Sequence, residues 1–222
     1  MKKSMISLIT VAVLAAVGLS FSTHVSAATK KDDNYAITTR QVKAGKVTLP
    51  ANTRVFVWYK STRNHQTYAS IDLLSMSYRI RHTTKATSIT IPYSHNLKTV
   101  KGRYPNPICI GKGHQLTTQS AWTKTPKLTF TADNRVEYFA NGNFDQKPIS
   151  STMITKTKQK GHITYYYAKK NMLKLPDKRI SKTGNYQYRL TVQRNKVVLG
   201  ALSISYSVGS STNYFYAPTL NA

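Results

Sequence analysis

"KLTFTADNRVEYF", Lys127 to Phe139, sets two runs of alternating apolar and polar residues around a polar triplet, and the length of the loop between them decides how the runs pair. A loop of three residues, Ala132 to Asn134, puts Phe130 opposite Val136 and Leu128 opposite Tyr138, which gives one continuous apolar face. A loop of two would set Phe130 against Glu137. The longer loop also places Asn134 where a left-handed backbone conformation is wanted, which asparagine tolerates. The stretch is therefore an antiparallel hairpin, with Thr129, Thr131, Arg135 and Glu137 expected to point outward.

The same period of two recurs in "RVFVWY" (54–59), "SYRIRH" (77–82), "SITIP" (88–92) and "YQYRLTV" (186–192), while helical periodicity is confined to a short candidate, "AKKNMLKLPDK" (168–178). Thr, Tyr, Val and Ile in brief runs bounded by Asn, Gly and Pro define an all-β protein. In "TKTKQKGHITYYYAKK" (155–170), a loop of Gln159, Lys160 and Gly161 pairs Lys158 with His162, Lys156 with Thr164 and Ile154 with Tyr166. That register exposes Lys156, Lys158, His162 and Tyr166 and turns Tyr165 and Tyr167 inward with Met153 and Ile163. A third hairpin around Arg194 and Asn195 pairs Val192 with Val197 and Leu190 with Leu199. Successive antiparallel hairpins of this kind form small barrel or sandwich units, and the chain has room for two.

The expected layout is a leader at 1–27, a polar N-terminal tail at 28–45, a first small β domain at 46–114, a connector at 115–126 and a second antiparallel β domain at 127–218. The leader rests on a charged start, Lys2 and Lys3, an apolar run from Met5 to Phe21, and small residues at Val25 and Ala27 that direct cleavage before Ala28. The run is shorter than the roughly 20 apolar residues that a membrane span needs. The expectation is a secreted protein, extracellular or associated with the cell wall, with no stable membrane insertion after cleavage.

Cleavage removes Lys2 and Lys3, leaving 31 basic residues against 7 acidic ones and a formal net charge of +24. Such an excess attracts phosphate-rich or carboxylate-rich polymers. Its densest part comprises Lys156, Lys158, Lys160, His162, Tyr166, Lys169, Lys170, Lys174, Lys178, Arg179 and Lys182, taken here as the candidate polyanion-binding residues. The expected partner is an anionic cell-wall polymer, and the same charge permits binding to nucleic acid.

Other chemistries find less material. Carboxylate-pair catalysis has only Asp32, Asp33, Asp72, Asp133, Glu137, Asp145 and Asp177 to draw on. His65, His82, His95, His114 and His162 lack metal-ligand spacing, so neither a metal nor a cofactor is expected. The single cysteine, Cys109, precludes an intrachain disulfide. With His114 in "ICIGKGHQL" it offers the alternative of a cysteine hydrolase or transpeptidase, although its isoleucine neighbours suit a small buried hydrophobe better. "LPANT" (49–53) reads as a turn before a strand.

With its leader, its Lys/Thr/Tyr-rich β segments, its basic balance and its lack of disulfides, the chain resembles small secreted and surface-layer-type proteins of lactic acid bacteria. "KVTLPANTRVFVWY" (46–59) is similar in rhythm to bacterial SH3-like wall modules. The resemblance implies adhesion to anionic wall polymers, and the function expected of the chain is non-enzymatic binding.

Overall fold

Strands β1 (Tyr35–Thr38), β2 (Val42–Ala44), β3 (Val47–Leu49), β4 (Arg54–Arg63) and β5 (Gln66–Asp72) are followed by a one-turn helix α1 (Tyr78–Arg81) and strands β6 (Ser88–Pro92) and β7 (Leu97–Thr99). The computed structural model describes residues 34–100, 108–112, 124–172, 177–195 and 203–218, all within one compact unit, Lys31–Asn221. A five-stranded antiparallel sheet runs in the order β6-β5-β4-β1-β7, with β2 and β3 as a separate two-stranded hairpin. Alternation explains the core: Val55 and Val57 of β4, Ala69 and Ile71 of β5, and Val47 and Leu49 of β3 are all buried in one apolar cluster. The β4–β5 turn is Asn64 and His65, whose φ values of 48° and 60° are those a two-residue type I′ loop requires. "LPANT" is the turn between β3 and β4 that its residues suggested, with Asn52 at a φ of 62°.

Residues 35–44 are not the expected polar tail. Tyr35 and Ala36 are buried, and β1 sits between β4 and β7 near the middle of the sheet. "SYRIRH" is not a strand either. Ser77 and Ile80 are its buried side chains, a spacing of three rather than two, and the segment instead closes one helical turn whose first amides are taken by distant carboxylates.

The remaining strands are β8 (Ile108–Lys112), β9 (Lys127–Phe130), β10 (Arg135–Phe139), β11 (Ser150–Met153), β12 (Lys156–Lys160), β13 (Ile163–Ala168), β14 (Lys178–Arg179), β15 (Tyr188–Arg194), β16 (Ser203–Val208) and β17 (Phe215–Pro218). They build one ten-stranded antiparallel sheet in the order β11-β10-β9-β8-β17-β16-β15-β13-β12, with β14 on β15. The two end strands of that path, β11 and β12, are consecutive in the chain and separated only by Ile154 and Thr155. The sheet therefore curls, as a half-barrel, and encloses Ile110, Leu128, Phe130, Val136, Tyr166, Leu190 and other apolar side chains in a second core. Because β8 pairs with β9 and β17, the second sheet begins before the boundary expected near residue 115.

The opening hairpin has the expected register: Phe130 faces Val136, Leu128 faces Tyr138, and Asn134 has a φ of 59°. Its other face, however, is not solvent-exposed. Lys127, Thr131 and Glu137 are buried because the first sheet and α1 pack over that hairpin. The Ala132 N–H donates to the Ser75 carbonyl at 2.7 Å, and an Arg54 terminal nitrogen donates to Asn134 Oδ1 at 3.1 Å. Asp133 accepts the Ser77 N–H at 2.8 Å and the Ser77 hydroxyl at 2.6 Å, while Glu137 accepts the Tyr78 N–H at 3.0 Å.

Two other expectations require correction. Val192 pairs with Val208 of β16 and with Thr164 of β13, so both edges of β15 are taken there by other strands. Val197 and Leu199 themselves lie outside the described residues. In the candidate helix at 168–178, Ala168 ends β13 and Lys178 begins β14, so its described ends are extended rather than helical.

Candidate polyanion-binding surface

The hairpin of β12 and β13 turns through Gly161 and His162, two residues rather than three, because Lys160 pairs with Ile163. Gly161 has a φ of +57° at the first loop position, the pattern of a type II′ turn. The partner of Lys156 is therefore Tyr167 rather than Thr164, a shift of three residues, and an odd shift exchanges the two faces. Tyr166 is thus buried against Phe130, and its expected place on the outer surface is incorrect: the core needs the middle tyrosine, and the turn supplies that register. Burial raises the Tyr166 phenol far above its usual range, with Tyr206 adding to the shift and Arg54 opposing it. Burial likewise raises Tyr206.

On the outer face the tyrosines and lysines expected on opposite sides share one side. Lys156 pairs with Tyr167, Tyr167 with Arg189 on the next strand, and Arg189 with Lys178 on β14, forming a cross-strand row of Lys, Tyr, Arg and Lys. Beside it runs a second row of Lys158, Tyr165 and Thr191, and then a third of Lys160, Ile163 and Gln193. Neighbouring members of a row stand on strands about 4.8 Å apart, and successive rows are about 6.8 Å apart along the strands. Lys156, Lys158, Lys160 and Lys178 are exposed, while Tyr165, Tyr167 and Arg189 are half-buried by their neighbours.

Contacts between the side chains link the rows. Tyr186, 46% exposed just before β15, meets the Tyr167 ring edge-on at 6.0 Å, and Lys156 Nζ lies 5.3 Å from the Tyr186 ring centre. The Arg189 guanidinium lies 5.5 Å from the centre of the Tyr165 ring. These distances place cations over or beside π-faces, which stiffens long side chains that would otherwise lose more freedom on binding.

Of the other expected residues, His162, Lys169, Lys170, Arg179 and Lys182 are exposed, Arg179 with its guanidinium 6.0 Å from the Tyr188 ring. Lys174 lies outside the described residues. The sequence reading missed Arg189, Tyr165, Tyr167 and Tyr186 as surface residues. Their signal was present in the alternation of "ITYYYA" and "YQYRL", but only a two-residue turn at Gly161 aligns it with the lysines.

Four of the described acids have backbone partners. Asp133 and Glu137 serve α1, Asp72 accepts the Leu74 and Ser75 amides, and Asp177 accepts the Met172 amide at 2.9 Å, although it precedes Lys178 in sequence. Burial holds the Glu137 carboxyl above its ordinary value, against the opposing pull of the Tyr78 amide, the Ser151 hydroxyl and Arg81. Of the carboxylates, Glu137 is buried and Asp145 exposed. Cys109 pairs with Thr129 in the ladder, and His114 lies outside the described residues. Among the described residues no group of three or more His, Cys, Asp or Glu could hold a metal ion, and no helix is long and apolar enough to cross a membrane.

No family model, curated protein or solved structure matches this chain.

Proposed function

We propose that this chain is a secreted, non-enzymatic surface protein that binds anionic cell-wall polymer, teichoic acid or peptidoglycan, on the outer face of β12, β13, β15 and β14. The observation that carries the reading is the cross-strand row Lys156, Tyr167, Arg189 and Lys178, repeated beside it as Lys158 and Tyr165. A wall polymer alternates anionic groups with sugar or polyol units. Ammonium and guanidinium groups take the former, and phenol rings provide flat, weakly hydrated surfaces for the CH faces of the latter. Secretion follows from the leader-like start of the sequence, and the formal charge of +26 for the whole chain favours the same class of partner.

The test is co-sedimentation with isolated cell walls at about 0.15 M salt, an ionic strength that screens charges beyond about 8 Å. The protein is expected to sediment with intact walls; loss of binding once the teichoic acids have been extracted would assign the polymer to teichoic acid, and retained binding would assign it to peptidoglycan. Failure to sediment with intact walls, or binding to single-stranded nucleic acid that outcompetes the walls, would overturn the proposal.

A further inference from the structure

A groove of about 440 Å³ opens between β2 and β6, far in sequence from the lysine face, and its polar lining is Arg40, Gln41, Lys43 and Thr90, with Ala44 and Pro92 among its apolar walls. Asn96 also lines it and is itself buried. This asparagine is held on every side: its N–H donates to the Tyr93 carbonyl at 3.2 Å, its carbonyl accepts the Thr39 N–H at 2.9 Å, and its Nδ2 donates to the Pro92 carbonyl at 2.8 Å. Its remaining acceptor, Oδ1, takes the Arg40 Nε–H at 2.9 Å. The Thr39 hydroxyl, donating to the His95 carbonyl at 2.8 Å, ties the same two loops together.

The consequence for Arg40 is chemical. Its Nε is committed to a fixed amide, and its two terminal nitrogens make no hydrogen bond to a described residue. A guanidinium held by its inner nitrogen presents the terminal pair as a preset fork, the geometry that matches two oxygens of a phosphate or carboxylate. Lys43 adds a second positive charge, and the Thr90 hydroxyl and Gln41 amide add neutral donors, whereas no acidic residue is among the described residues that line the groove. Two cations with several donors suit a dianionic tetrahedral group better than a single planar carboxylate. The remaining volume and the Ala44 and Pro92 walls leave room for a small organic substituent.

We infer that this groove is a binding site for one phosphomonoester group carried on a small organic stem, with Arg40 as its bidentate anchor and Lys43 as its second charge. The site shares no residue with the lysine face, so it stands whether or not that face binds wall polymer. A free phosphorylated small molecule and the phosphorylated end of a polymer present the same group.

The experiment is calorimetric titration of the full mature chain with glycerol phosphate at about 0.15 M salt, where distributed surface charge is largely screened. The expected result is saturable binding of one equivalent, displaced by inorganic phosphate and absent with glycerol or acetate. Arg40→Lys keeps the charge but loses the fork, and should weaken binding at least 10-fold. Lys43→Gln, at an exposed position, should weaken it several-fold and serves if Arg40→Lys proves unfolded by circular dichroism. Lys156→Gln with Lys158→Gln should leave it unchanged. Equal affinity for acetate, unaltered binding in both groove variants, or loss of binding in the lysine-face variant would each overturn the inference. Competition by intact polymer but not by polymer treated with phosphatase would assign the group to a polymer end, and failure of both to compete would assign it to a free small molecule.

Discussion

The ring of Tyr166 lies stacked on that of Phe130, centroids 4.2 Å apart and planes 20° from parallel, although four strands separate β13 from β9 along the sheet. The contact crosses the interior that the curled sheet encloses. It also fixes which tyrosine of "TYYYA" is structural, because strand alternation forces Tyr165 and Tyr167 outward once Tyr166 is inside.

Tyr166→Ala should therefore destabilise the fold by about 3–5 kcal/mol, as large aromatic deletions from a packed core do. Tyr165→Ala should cost less than about 1 kcal/mol and act on binding instead. Urea unfolding of the two variants compares them directly. A larger loss for Tyr165→Ala would mean that the hairpin has the opposite register.

Gly161 carries that register. Its φ of +57° is costly for a residue with a Cβ, although no neighbouring atom would obstruct one. Gly161→Ala is accordingly predicted to lower stability by about 1 kcal/mol through backbone strain alone. Gly161→Asn should recover most of the loss, since asparagine visits the left-handed region more readily. Equal urea midpoints for the glycine and alanine forms would contradict the two-residue turn.

The joint between the two sheets makes a prediction about pH. Burial raises the Glu137 pKa above its ordinary value of 4.5, so the folded protein holds this proton at pH values where the unfolded chain has released it. The resulting stabilisation is complete below the ordinary value and is lost as pH rises through the raised one. Burial shifts Asp177 in the same direction, so the comparison must isolate Glu137. Between pH 4 and pH 7, the wild type should lose more Tm than Glu137→Gln, which has no proton to release. The same Tm difference in both proteins would show that Glu137 titrates alike in the folded and unfolded states.

What the sequence disclosed and what it hid follow the range of the interactions. The β9–β10 hairpin was legible in full, since Phe130, Val136, Leu128, Tyr138 and Asn134 lie within a dozen residues and their alternation permits one loop length. The buried outer face of that hairpin was not, because Glu137 and Asp133 owe their burial to Ser77 and Tyr78, more than fifty residues away. The same distance hid the helix at Tyr78, whose cap comes from those carboxylates and not from Ser77 beside it. At Gly161, both loop lengths put glycine at a position of positive φ, so local turn chemistry left the register undecided and the Phe130 contact fixed it. Of the candidate surface, the lysines were readable from charge, whereas the tyrosine and arginine partners depended on that register.

The most direct test of the proposed polymer-binding face is the salt dependence of binding to purified wall polymer. Lys156, Lys158, Lys160 and Lys178 are all exposed, so changing the four to Gln should leave the fold and its urea midpoint intact. If these lysines neutralise polymer charge, the slope of log K against log salt should flatten by about 0.7 per lost contact, roughly 3 in all, with weaker binding at every salt concentration. An unchanged slope and affinity in the folded variant would contradict the account and leave the rows of lysine and tyrosine as no more than the solvated side of a barrel.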